Sequence, residues 1–321
     1  MDLGLALGGL IVGFIVGLTG MGGGALMTPM LVFFFGINPL AAVSSDLVTS
    51  AVMKPFGGAV HIQHGTVNWS LVRWLMAGSV PSAFAGVLVL RALGDGTNVE
   101  NVVRTALGVA LLVASASLII KAYLSMIQRV RRRAAGLAAI PTTSATPEVV
   151  VRPVLTVLVG IIGGLVVGMT SVGSGSLIII ALLMIYPALQ ASQLVGTDLV
   201  QAVPLVAAAA LGHLLFGDFQ LAVTTSLLIG SIPGVIAGAA ASSRAPGGLV
   251  RRALSLVLLA SGLKLVGVGT PLIVAAISAF VIIGPFLWMA ARKRHGLPAV
   301  GRQAGRAPER VPAVGNPSDN P

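Results

Sequence analysis

The chain has 321 residues, of which 56% are hydrophobic and only 9% are charged. Soluble domains carry about 25% charged residues, so the composition excludes an ordinary soluble globular protein and predicts a polytopic, all-α membrane protein. The formal net charge is +11 and the chain has no cysteine; the basic residues cluster in loops and in the tail, where the positive-inside rule accounts for them without nucleic acid.

Apolar runs follow one another along the chain, many of them near the roughly 20 residues that a helix needs to cross a bilayer. We predict eleven segments, at residues 3–19, 22–35, 41–63, 69–90, 101–122, 153–170, 174–187, 193–215, 219–241, 249–267 and 272–291. The second and seventh are short for a full crossing and are interpreted as half-helices or tilted partial spans. The amino terminus, "MDLGLALGGL", lacks a basic region, so its apolar run is interpreted as a retained helix rather than a cleaved signal peptide.

The first five segments and the next five are copies of one another. Matched positions include Gly9 with Gly160, Gly13 with Gly164, "SSD" at 44–46 with "GTD" at 196–198, and "GSVP" at 78–81 with "GSIP" at 230–233. Because each copy holds an odd number of segments, we expect the second copy to be inverted in the membrane, as in many secondary transporters.

The repeats and the charge distribution predict five regions in the chain. They are a first membrane repeat at 1–122, a basic cytoplasmic linker at 123–152, a second membrane repeat at 153–269, an additional transmembrane helix at 270–291 and a disordered basic cytoplasmic tail at 292–321. Counting eleven crossings returns every basic cluster to the cytoplasm of a plasma-membrane protein and places the amino terminus outside. A single broken crossing for the first two segments of each half would place Arg244 and Arg292 outside, which the rule disfavours.

Two glycine-rich stretches, "GLTGMGGGALMTP" at 17–29 and "GMTSVGSGSLIII" at 168–180, interrupt the apolar runs. Broken backbone at membrane depth is tolerated only where it is buried or lines a cavity, and the free N–H groups at the start of the next helix favour an anion. The glycines spaced by four upstream are instead typical of close helix packing. The candidate substrate-binding residues are Thr19, Gly20, Gly22, Gly23, Gly24, Ser44, Ser45, Lys54, Thr170, Ser171, Gly173, Ser174, Gly175 and Thr197.

Asp46 and Asp198 are the only acidic residues within the predicted spans, and they occupy matched positions. An ionisable group inside a membrane segment is a functional candidate by default, so both are predicted to couple transport to a proton or sodium ion. The alternative is that each caps a helix. His61 and His213, also matched, lie near segment ends, where proton relay and interfacial hydrogen bonding are both open interpretations.

Three further residues in the spans have ambiguous roles. Lys54 follows Asp46 by two helical turns, roughly 12 Å, so it either attracts an anion or pairs elsewhere. Pro81 and Pro233 are predicted to kink matched helices. Each kink is either a hinge for movement or a fixed bend of the helix.

The sequence shows no nucleophile–base pair, no metal-ligand spacing and no nucleotide-binding loop, so neither an enzyme nor a cofactor or metal is predicted. The expected partners are a small anion, a coupling proton or sodium ion and the lipid bilayer. Nucleic acid is not expected, and nothing in the sequence supports a homo-oligomer. A passive anion channel and a permease for an unrelated small solute remain the alternatives to a secondary transporter.

The sequence resembles the sulfite exporter TauE/SafE family of membrane permeases. The resemblance rests on "GLTGMGGGALMTPML", "AAVSSDLVTSA" and "GGAVHIQHGTVNW" in the first copy, and on "GMTSVGSGSLIII", "LVGTDLVQA", "GHLLFGDFQ" and "GSIPGVIAG" in the second. It implies export or uptake of small sulfur oxyanions, such as sulfite or organosulfonates, across the plasma membrane. The second copy has Ser171 and Ser174 where the first has Gly20 and Gly23, so the two breaks are not equivalent.

Overall fold

The computed structural model describes residues 2–19, 23–94, 97–134, 150–187, 189, 191–241 and 247–294. Within these residues the protein is helical, and each predicted apolar segment corresponds to one helix. The helices are α1 (Leu3–Thr19), α2 (Gly24–Phe34), α3 (Pro39–Gln63), α4 (Trp69–Ala92), α5 (Thr97–Ala134), α6 (Pro153–Thr170), α7 (Leu177–Ile185), α8 (Ala191–Phe216), α9 (Leu221–Ala241), α10 (Gly247–Leu265) and α11 (Thr270–Arg294).

Six of the described helices contain a stretch long and apolar enough to cross a membrane. These stretches are Trp69–Ala92, Val99–Leu124, Pro153–Thr170, Gln193–Phe216, Leu221–Gly238 and Thr270–Ala291. Helices α1 and α2 are apolar but shorter. The predicted short segments are short helices, since α2 has 11 residues and α7 has 9.

Helix α5 continues past the predicted start of the linker at residue 123 and ends at Ala134. The sequence from 123 to 134 contains no proline or glycine, and its leucine, methionine, glutamine and arginine residues favour a helix. The rest of the linker, at 135–149, and the tail from 295 lie outside the described residues.

The two repeats interlock within one compact unit, Met1–Phe280. Helix α1 packs on α9, and the matched helix α6 packs on α4. The contacts match residue by residue: a Cβ on Gly9 would lie 2.7 Å from the Leu227 carbonyl oxygen, and one on Gly160 would lie 2.5 Å from the Leu75 carbonyl oxygen. The glycine ladders therefore bring backbones together, as small-residue motifs do in membrane proteins.

Matched helices also contact each other, and they run antiparallel. At one end of the α3–α8 pair Ser44 contacts His213, and further along α3, Gly58 faces Val200. In the α5–α10 pair, Ser115 donates to the Ser255 carbonyl while Gly108 faces Leu265. In both pairs, therefore, a helix contacts its sequence-matched counterpart in the antiparallel orientation.

The largest apolar cluster packs around these pairs and includes Leu47, Leu71, Leu182 and Leu205. A second unit, Val281–Pro321, is described as far as Arg294 and consists of the carboxyl-terminal part of α11. Its apolar side chains, such as Ile282 and Phe286, are exposed, which suits a helix surface that faces lipid.

Candidate functional site

The break in the second repeat is an ordered turn between α6 and α7. Ser171 ends α6 in the left-handed conformation, with φ 60°, and Gly173 and Gly175 follow at φ 136° and 93°. Such angles favour glycine, since a Cβ is disfavoured there. The turn places the side chains and N–H groups of 171–175 in the protein interior, where all of them are buried.

The two breaks meet. A Cβ added to Gly24, at the start of α2, would collide with the carbonyl oxygen of Ser171. Gly23 is buried beside it, and its carbonyl accepts from the amides of Leu26 and Met27 at 3.0 and 2.9 Å. Gly20 and Gly22, predicted to bind substrate, lie outside the described residues.

Asp46 lies at this junction, fully buried on α3. Its Oδ2 accepts hydrogen bonds from Ser171 Oγ at 2.7 Å and from Thr28 Oγ1 at 2.9 Å. Its Oδ1 accepts a longer bond from Ser50 Oγ at 3.3 Å. Because α3 begins at Pro39, Asp46 does not cap the helix, and its carboxylate instead joins three separate segments.

Asp198 is also buried, on α8, but its partners are nitrogen donors. Gln201 Nε2 donates to Asp198 Oδ1 at 3.1 Å, and the Gly175 amide donates to the same carboxylate. The amide orientation of Gln201 is set by Ser79, whose hydroxyl donates to Gln201 Oε1 at 3.1 Å. Gln201 and Ser79 were not among the predicted site residues. Gln201 could have been found from the sequence, because it is a long polar side chain in an apolar segment and its matched position in the first repeat, Thr49, is also polar.

Lys54 is the buried cation of the site. Its Nζ donates to Ser174 Oγ at 2.6 Å, so it links α3 to the second break. Of the two interpretations left open by the sequence, attraction of an anion and pairing elsewhere, this hydrogen bond is an example of pairing elsewhere. Its charge acts on both Asp198 and Asp46. The charge of Lys121, which was not among the predicted site residues, acts on Asp198 as well.

His213 is buried and bridges the two repeats. Its Nε2 lies 2.8 Å from the Gly168 carbonyl and its Nδ1 lies 2.8 Å from Ser44 Oγ. A carbonyl only accepts, so Nε2 carries a proton. The Gly168 carbonyl lies in the last turn of α6, which ends at Thr170, and the amide of Val172, four residues on, donates to Thr170 Oγ1 instead of to this carbonyl. His61 is only half-buried, and its Nδ1 contacts Thr66 within its own repeat.

Three other candidate hydroxyls form hydrogen bonds with the backbone. Thr19 and Thr170 donate to carbonyls of their own helices, at 2.8 and 2.6 Å. Thr197 accepts from the Asn68 amide at 3.0 Å. Ser45 Oγ is buried and has no hydrogen-bond partner among the described residues.

The predicted hinge prolines lie inside unbroken helices. Pro81 is within α4 and Pro233 within α9, and both rings are exposed. Among the described residues, no three His, Cys, Asp or Glu side chains are grouped to hold a metal ion.

Comparison with known proteins gives one family and two relatives. Residues 5–265 match the model of the family described as "Sulfite exporter TauE/SafE". The chain is 38% identical over 267 residues to "Probable membrane transporter protein YjnA" of Bacillus subtilis (strain 168), covering 83% of this chain and 100% of that protein. It is 31% identical over 87 residues to "Probable membrane transporter protein YunE" of the same organism, covering 27% and 32%. No solved structure matches the chain.

Proposed function

The chain belongs to the sulfite exporter TauE/SafE family of membrane transporters, and on that premise we propose that it is a secondary permease for a small sulfur oxyanion. The substrate class is sulfite or an organosulfonate, moved across the plasma membrane. The observation that carries the proposal is the buried charged centre where the two breaks meet: Asp46 accepts from Ser171, Lys54 donates to Ser174, and the Lys54 charge acts on both Asp46 and Asp198.

The proposal includes inverted repeats and eleven crossings. The antiparallel arrangement of α3 with α8 and of α5 with α10 supports an inverted second repeat, because matched helices of two inverted copies run in opposite directions. A single broken crossing for α1 and α2 would leave four crossings in each repeat and would make α3 and α8 parallel. With eleven crossings, the linker and the carboxyl terminus are cytoplasmic and the amino terminus is outside.

The centre suits an anion whose charge is compensated during transport. Lys54 supplies a positive charge near the break, and buried hydroxyls such as Ser45 Oγ supply hydrogen-bond donors. Two buried carboxylates repel an anion unless a proton or cation is bound with it. Asp46 and Asp198 are therefore proposed as the coupling residues. Of the two candidate histidines, the buried His213 is proposed to share this coupling role. Pro81 in α4 and Pro233 in α9 are proposed as hinges for a rocking movement that would expose the centre to each side in turn.

Uptake by purified protein in sealed vesicles tests the function. The panel is sulfite, a short alkylsulfonate, sulfate and acetate, each measured with and without imposed proton and sodium gradients. We expect saturable uptake of sulfite or the alkylsulfonate, accelerated by one of the gradients. Lys54→Met should abolish it, whereas Ser115→Ala, which removes a buried hydroxyl between α5 and α10, should not.

Two results would contradict the proposal. Absence of saturable flux for every anion of the panel would exclude the substrate class. Flux that neither gradient affects would indicate a passive anion channel instead of a coupled permease.

A further inference from the structure

We propose that the Asp46 carboxylate, with the three hydroxyl groups that contact it, forms a binding site for a sodium ion. The proposal rests on the permease function above and identifies its coupling ion. The matched Asp198 carboxylate does not bind sodium itself and contributes to coupling only through its charge.

The groups around Asp46 are oxygen atoms, which are suitable ligands for a sodium ion. Oxygen atoms from three segments converge on this one carboxylate: Thr28 from α2, Ser50 from α3 and Ser171 from the second break. Hard cations prefer oxygen ligands. A hydroxyl can rotate its proton away and present a lone pair, so the same atoms that now donate to Asp46 can ligate a cation beside it.

These hydroxyl oxygens surround only one of the two matched carboxylates. The counterparts of Thr28, Ser50 and Ser171 in the other repeat carry no hydroxyl; they are Ile179, Ala202 and Gly20. Asp198 receives N–H donors from Gln201 and Gly175. An N–H group has no lone pair for a cation, so the surroundings of Asp198 reject sodium.

At Asp198 the side chain of Gln201 occupies the place that a cation would take beside the carboxylate. The Gln201 amide nitrogen, the positive end of the amide dipole, lies 3.1 Å from Asp198, while its oxygen accepts from Ser79. In the first repeat the matched Thr49 is shorter and donates to the Ser45 carbonyl at 2.8 Å. Ser231, the counterpart of Ser79, is buried and its Oγ has no partner among the described residues. A sodium ion at Asp46 would take the electrostatic role that the Gln201 amide has at Asp198.

The charges of the centre also bear on the choice of ion. Lys54 acts on both carboxylates, and Lys121 acts on Asp198. Ser171 ends α6, and the carboxyl end of a helix favours a cation. The carboxyl ends of broken helices hold sodium in several transporters. Because the two lysines already balance the two carboxylates, sodium at Asp46 would give the centre a net positive charge and so prepare it for an anion.

The test is thermal unfolding of the purified full-length protein in sodium, potassium or choline chloride at equal ionic strength and pH. We expect sodium alone to raise Tm, in a saturable manner. Thr28→Val keeps the side-chain shape but removes one ligand, so the half-saturating sodium concentration should rise about tenfold. Asp46→Asn should remove the sodium effect, while Asp198→Asn and the matched control Ser115→Ala should keep it.

Equal Tm in sodium and choline chloride would overturn the sodium site, as would a shift in sodium affinity for Ser115→Ala equal to that for Thr28→Val. Anion flux driven by a proton gradient in the absence of sodium would overturn the sodium site and leave the permease function intact. Sodium stabilisation of a protein that moves no anion would instead contradict the permease function and leave the site.

Discussion

Asp46 and Asp198 occupy matched positions in two copies of one sequence, yet they share no type of hydrogen-bond donor. Asp46 is bound by the hydroxyls of Thr28, Ser50 and Ser171. Asp198 is bound by the amide of Gln201 and a backbone N–H. The two copies have the carboxylate at the same position but different hydrogen-bond donors around it. We therefore expect the two carboxylates to differ in function, with sodium bound at Asp46 and not at Asp198.

The packing surfaces show the opposite behaviour. Gly9 and Gly160 approach matched carbonyls, of Leu227 and Leu75, at nearly the same separation. Backbone contact at this range leaves no room for even a methyl group, so the glycines cannot change without separating the helices. The side chains around a buried carboxylate have more freedom, because several donor sets satisfy its lone pairs.

The largest effect is expected from Lys54→Met. Removing one partner from a buried charge network costs about 3–5 kcal/mol, so we expect a large loss of stability together with the loss of transport. Since the Lys54 charge acts on both carboxylates, adding either Asp198→Asn or Asp46→Asn removes a negative charge left without its lysine and should restore part of the stability. Chemical unfolding of the single and double variants measures this rescue, and no rescue by either second substitution would show that the lysine does not stabilise the carboxylates.

The junction of the two breaks should be the next most sensitive point. In Gly24→Ala the new methyl group meets the Ser171 backbone, which cannot move without breaking the contact of Ser171 with Asp46. We expect a loss of about 2–3 kcal/mol and weaker sodium stabilisation. Gly57→Ala on α3 is the matched control, because nothing lies within 4 Å of its added Cβ. Equal melting temperatures for the two variants would contradict the close contact of the breaks.

The smallest expected effect is the difference in stability loss between substitutions at the matched residues Gln201 and Thr49. Gln201→Leu removes two buried hydrogen bonds, to Ser79 and Asp198, and should cost about 1–2 kcal/mol. Thr49→Val removes only a bond to its own helix and should cost less than about 1 kcal/mol. Melting temperatures in choline chloride make the comparison without sodium. A larger loss for Thr49→Val would mean that the polar chain through Gln201 does not stabilise the second repeat.

Much of the helical architecture was predictable because it depends on local properties of the chain. Runs of apolar residues become helices, since helices satisfy the backbone hydrogen bonds without partners elsewhere. The short α2 and α7 follow from the glycine clusters that precede them. The end of α5 was placed too early, because the apolar pattern stops near residue 122 while helix-forming polar residues continue to Ala134.

The sequence by itself determined the membrane class, the family, the repeat and the pair of buried carboxylates, because composition, motifs and matched positions are properties of the chain alone. Only the tertiary structure decided what each carboxylate contacts. Ser171 lies 125 residues from Asp46 along the chain, and Ser79 lies 122 from Gln201, so no local rule relates them. The structure also located Lys54 against Ser174 and not against a carboxylate of its own helix. These contacts depend on how the two repeats interlock, and that is set by glycine-mediated packing between helices far apart in the sequence.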